Sequence, residues 1–209
     1  MLTARHVAEI VGGVVQGDAD APIYGVAPID RATSGQLTFL ASAKYAPQFA
    51  SCAASVALIT PELADAPGGV LARVVVEKPQ EAMLRLLPLL FTPPPRRPGV
   101  DSTARLGRGV VLGAEVTIGP YVVIGDGARI GDRVQLDAHV VVGDGVAIGD
   151  DTHLFPHVTA YPGTILGRRV VAHAGVRLGN DGFGFVFAGG AHQKIPHVGR
   201  CIIEDDVEV

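Results

Sequence analysis

Seven histidines are the side chains of this chain best suited to acid–base or metal chemistry, because an imidazole titrates near neutrality and also binds metals. His139 and His157 are 18 residues apart. In a solenoid of six-residue units that spacing stacks them on successive coils, about 4.8 Å apart in backbone. A stacked pair could share a zinc ion, but zinc needs a third protein ligand and an open position, and residue 175, next in the column, is glycine. Solvated surface side chains are the expected reading. His153, His173, His192 and His197 lie nearby without forming a motif, so no catalytic residue, metal ligand or cofactor is assigned to this set. Cys52 and Cys201 also lack metal spacing and read as free thiols of a reducing compartment.

The element that would position these groups is a repeat. Every sixth residue from Leu106 to Leu178 falls in one register of thirteen positions, eleven of them Leu, Ile or Val. Four residues after each comes a small or β-branched residue, as at Val110, Val116, Val122, Ala128 and Val134, and the residue after each is mostly glycine, as at Gly107, Gly113, Gly119 and Gly125. A period of six fits neither a helix nor a free strand, but it fits a short strand followed by a corner. The glycines are expected at the corners, where positive φ is costly for other residues. Such hexads are the signature of a parallel β-helix, each coil burying its face against its neighbours. The beat breaks after Leu178 and resumes at Ile203, a 19-residue insertion. Its apolar segments on either side of Gly189-Gly190 predict a projecting hairpin over about 180–201.

Residues 1–92 lack the beat and read as a small α/β domain. Thr3 caps a helix through Val11, strands are expected at Ile23–Val26, Leu37–Leu40, Ser55–Thr60 and Val70–Glu77, and helices at Ala43–Cys52 and Pro79–Phe91. A proline-rich spacer over 93–99 separates this domain from a β-helix over 100–209. The fold class is thus mainly β, a β-helix preceded by a small α/β domain. Net charge is −4 and no basic run exceeds two residues, which argues against nucleic acid. No signal peptide or bilayer-length apolar run is present, so a soluble cytoplasmic protein is expected.

Four stretches carry a resemblance: Gly25–Asp30; Leu37–Tyr45; Val158–Tyr161; and Asp181–Phe185 with Lys194-Ile195-Pro196. In order and content they are similar to the UDP-3-O-acylglucosamine N-acyltransferases of lipid A biosynthesis. The resemblance implies a left-handed parallel β-helix, where physics alone favours right-handed crossovers. It implies transfer of a 3-hydroxyacyl group from acyl carrier protein to the 2-amino group of UDP-3-O-acylglucosamine, in homotrimers with sites between neighbouring β-helices. Phe39 and Tyr45 correspond to the aromatics that sandwich the uracil, and Ser42 stands where the family usually has asparagine. Asp181, Phe183 and Lys194 are the insertion's expected substrate-binding residues, Lys194 toward a phosphate and Asp181 holding the loop through its own backbone. Phe183, Phe185 and Phe187 either line a pocket or fasten the hairpin to the coil. Arg105, Arg108, Arg168 and Arg169 are the expected docking surface for the acidic carrier.

The family's catalytic histidine lies in a segment beyond the point where this chain stops, Val209. The expectation is a C-terminally truncated chain that binds without turnover, its open coil end being a liability for a finished protein. Other hexapeptide proteins remain as alternatives: a sugar or serine O-acetyltransferase, or a γ-class carbonic anhydrase. A structural or ice-binding solenoid would need a regular outward column, which the varied outward positions lack.

Overall fold

The computed structural model describes residues 2–91 and 95–209, so Thr92, Pro93 and Pro94 of the spacer lie outside the described residues. Two compact units are present, Met1–Pro94 and Pro95–Val209.

In the first unit a five-stranded sheet runs in the order Val14–Gly17, Ala72–Val75, Val56–Ile59, Gln36–Leu40, Gly25–Val26, parallel except for the first pair. Helix α1 (Ala4–Val11) begins at Thr3, whose hydroxyl accepts the His6 N–H, and ends on left-handed Gly12. Helix α3 (Pro79–Leu90) starts with proline, whose missing N–H costs nothing in a first turn. Ala4 and Val7 of α1 and Met83 and Leu86 of α3 bury against Leu37, Leu58 and Val74 on one face of the sheet. On the other face Leu40, Ala57 and Ile59 pack against Phe49 of α2 (Ala46–Ala50). The expected helix over Ala43–Cys52 is a 3-10 turn, Ala43–Tyr45, followed by this short α2 with Pro47 in its first turn. The strand Val14–Gly17 was not expected; pairing with Ala72–Val75 creates it.

The second unit is a parallel β-helix. Three sheets of five two-residue strands stack with registers of 18 residues, as in Thr117 to Gln135 to His153 to Val171. From Val116 to Ala172 both expected inward columns are buried, Ile118, Ile124, Leu136 and Leu154 with Val122, Val134, Val140 and Val158 among them, whereas Val110 and Leu112 are partly buried and Leu106 is 42% exposed. Burying each such side chain is worth about 1.5–3 kcal/mol. Thr152 substitutes in a column without penalty, its hydroxyl donating to Gly167 O and accepting from Val170 N. Arg168 and Asp205 bond across a separation of 37 residues where the other coils use 18, which places the 19-residue insertion where the sequence put it.

The corner glycines are a correction. Gly107, Gly113, Gly119 and Gly125 do not have positive φ; the left-handed residue lies two positions later, at Gly109, Glu115, Tyr121 and Gly127. A Cβ on Gly107 would meet the Asp126 backbone N at 2.7 Å, and one on Gly131 the Asp150 N at 2.8 Å. Close stacking of coils therefore selects these glycines. Aspartates follow Gly125, Gly131, Gly143 and Gly149, and carboxylates at this position accept N–H bonds from the coil before: Asp126 from Arg108, Asp144 from Asp126, Asp150 from Asp132. Along one corner Arg133 pairs with Asp151 and Arg169 with Asp206, each at 2.7 Å. The guanidinium hydrogen bonds hold both carboxyls below the usual carboxylate range.

Candidate functional site

Strand alternation gives Phe39 the face of buried Leu37, toward α3, yet Phe39 is 39% exposed. It opens onto a cleft of about 680 Å³. One wall is Val26, Ala27, Pro28, Ile29 and Asp30; another is Gln80, Met83 and Leu87 of α3; Ala41, Ser42 and Tyr45 complete it. Ser42 caps the 3-10 turn, its hydroxyl accepting the Lys44 N–H at 3.4 Å, and the Tyr45 N–H donates to Ser42 O at 3.0 Å. That turn presents the Tyr45 ring, 45% exposed, to the cleft, with Lys44 Nζ 5.6 Å from its centroid. Two solvent-facing aromatics in a mostly apolar cleft suit a planar heterocycle.

The insertion forms the expected hairpin, Phe185–Ala188 against Ala191–Lys194. Lys194 Nζ sits 2.6 Å from Asp181 Oδ2 and 6.0 Å from the centroid of Phe185, with Phe183 stacked obliquely at 5.0 Å from Phe185. Asp181 thus holds the loop through Lys194 rather than through its own backbone, and the Lys194 hydrogen bond depresses its carboxyl pKa. Lys194 is ion-paired, which weakens its expected role toward a phosphate. Phe183 is 96% exposed, and Phe185 and Phe187 are also exposed.

His139 and His157 stack as the spacing predicts, ring centroids 4.9 Å apart, with Tyr121 continuing the column at 5.1 Å. Among the described residues no group of three His, Cys, Asp or Glu side chains is arranged to hold a metal. His153 bonds Asp137 at 2.9 Å and His173 bonds Glu208 at 2.7 Å, both within the solenoid. The expected basic docking surface is largely neutralised: Arg108 pairs with Asp126, Arg168 lies 3.8 Å from Asp150, and Arg169 pairs with Asp206. Among the described residues no helix is long and apolar enough to cross a membrane.

Residues 20–89 match the family model described as UDP-3-O-(3-hydroxymyristoyl) glucosamine N-acyltransferase, LpxD, and residues 109–144 match the bacterial transferase hexapeptide. The chain is 46% identical over 210 residues to the UDP-3-O-acylglucosamine N-acyltransferase of Dechloromonas aromatica, covering 100% of this chain and 59% of the relative. It is 42% identical over 207 residues to that of Porphyromonas gingivalis, covering 99% and 59%. Along its whole length the chain is similar to the UDP-3-O-acylglucosamine N-acyltransferases. It spans about 59% of the length of these relatives. Among solved structures, PerB from Caulobacter crescentus in complex with CoA and GDP-perosamine is similar at 14% identity and a TM-score of 0.32, over 88% of this chain and 92% of that one.

The whole cleft falls inside the stretch matched by the N-acyltransferase model, whereas the hairpin lies outside both matched stretches. Of the sequence-derived site residues, Phe39, Ser42 and Tyr45 line one cleft of the first unit, and Asp181, Phe183 and Lys194 share the hairpin of the second. Sequence reasoning missed Gln80, Met83 and Leu87. Their spacing of three and seven along α3 marks one helix face, but nothing in that spacing says the face meets a cleft.

Proposed function

We propose that this chain provides the nucleotide-binding domain and scaffold of an enzyme of lipid A biosynthesis. The reaction is transfer of a 3-hydroxyacyl group from acyl carrier protein to UDP-3-O-acylglucosamine. The sugar's 2-amino nitrogen attacks the thioester carbonyl, forming the amide and releasing the carrier's thiol, while the amine gives up its proton. The observation that carries this reading is the pair of exposed rings, Phe39 and Tyr45, in a cleft lying wholly within the family-matched stretch. Uracil stacks between them, and the diphosphate and sugar extend out of the cleft. Ser42 borders the base, and Asp181, Phe183 and Lys194 form a second substrate-contacting element. No histidine of this chain is assigned as the base.

The chain works as a homotrimer, with substrate sites between neighbouring β-helices. Support comes from the hairpin, whose apolar side chains Phe183, Phe187, Ile195 and Val198 are exposed in a single chain. An isolated two-stranded hairpin is at best marginally stable, and a neighbouring copy supplies the missing cover. A carbonic anhydrase is disfavoured, because the His139 and His157 rings stack 4.9 Å apart and within 3° of parallel, and Gly175, next in their column, offers no further imidazole to a metal.

Calorimetric titration with UDP, UDP-N-acetylglucosamine and ADP tests the reading. Both uridine nucleotides are expected to bind at least tenfold more tightly than ADP; equal affinity for all three would contradict a uridine site.

A further inference from the structure

We propose that the carboxamide of Gln80 pairs with the N3–H and O4 edge of the base, supplying the directional hydrogen bonds of the cleft. The inference rests on reading the cleft as a uridine site. Stacking alone is tolerant of base identity, because every base has a flat face. The edge of uracil alternates acceptor, donor, acceptor, so its partner must offer an acceptor and a donor side by side.

Four side chains with polar groups line the cleft: Asp30, Ser42, Tyr45 and Gln80. The Asp30 carboxylate offers only acceptors, which repel the two base carbonyls, and it lies 3.7 Å from the Arg31 guanidinium. The single Ser42 oxygen already accepts the Lys44 N–H and cannot present two adjacent groups. A Tyr45 ring lying flat on the base carries its hydroxyl in the stacking plane, away from the edge. The Gln80 carboxamide has coplanar N–H and C=O groups in the required arrangement. Among the described residues no hydrogen bond holds it. Its backbone is fixed, since Pro79 opens α3 and buried Met83 and Leu86 anchor the helix to the sheet. Gln80 shares its helix face with Met83 and Leu87, which line the same cleft.

The test is calorimetric titration of the full chain and its variants with UDP and with UDP methylated at base N3. The unmodified chain is expected to prefer UDP by about tenfold or more, the scale of a lost hydrogen-bonded pair. Gln80→Ala weakens UDP by about tenfold and leaves the methylated analogue unchanged, so the preference collapses toward unity. Gln80→Leu keeps the bulk but loses both the donor and the acceptor, and it loses the preference likewise. Because Gln80 is exposed, both variants are expected to melt with the parent chain. If either folded variant retains the parental preference, the Gln80 assignment is wrong while the uridine site stands. If the parent chain binds neither nucleotide, or binding ignores Phe39→Ala, the uridine reading itself falls and this inference with it.

Discussion

Phe39→Ala lowers the affinity for UDP by roughly 10- to 100-fold, the range expected when one aromatic wall of a stacked base is removed. The melting temperature changes little, because Phe39 is 39% exposed and the sheet core around Leu37, Leu40 and Leu58 is untouched. Loss of binding without loss of fold is the distinguishing feature. A folded variant that binds UDP within threefold of the parent chain would remove the main support for the nucleotide cleft. Binding is read by calorimetry and folding by thermal melting on the same preparation.

The second large effect concerns the solenoid. Gly125→Ala is expected to destabilise the β-helix by about 3 kcal/mol, at the upper end of ordinary overpacking costs. The added Cβ meets Asp144 N at 2.6 Å and Gly143 C at 2.8 Å, both backbone atoms of the next coil, which cannot swing away. Gly127→Ala, only two residues on, is expected to cost about 1 kcal/mol or less. Its φ is +68°, which penalises an L-residue by about 1–2 kcal/mol, but no atom lies within 4 Å of the new Cβ and the unfolded chain loses entropy. The equivalent corners already hold Glu115, Arg133 and His139 at φ of 53°, 55° and 62°. Denaturant unfolding of the two variants reads the order; equal or reversed destabilisation would show that coil stacking does not select the glycine.

Hydrophobic spacing carried the β-helix because its core columns are set by period alone. Ile118, Ile124 and Leu136 are buried for the same reason that they recur every six residues. The hairpin was legible too, since Gly189-Gly190 sits between paired segments that register Phe185 with Lys194 and Phe187 with His192. The reason for the glycines was hidden, because their steric partners lie a full coil away in sequence and appear only when coils stack. The edge strand Val14–Gly17 was hidden likewise, its pairing partner Ala72–Val75 being remote in the chain. In the cleft, Phe39 and Tyr45 were found through the family resemblance, since a Leu-Thr-Phe-Leu strand by itself favours a buried phenylalanine. Gln80 was invisible because a polar residue in the first turn of a helix is unremarkable until α3 is seen beside the strand that carries Phe39.

The most direct measurement is a crystal structure of this chain with UDP-N-acetylglucosamine. The account predicts the uracil ring between the rings of Phe39 and Tyr45, about 3.5–4 Å from each, the ordinary contact distance of stacked carbon atoms. A nucleotide bound elsewhere, with both rings left uncovered, would contradict it.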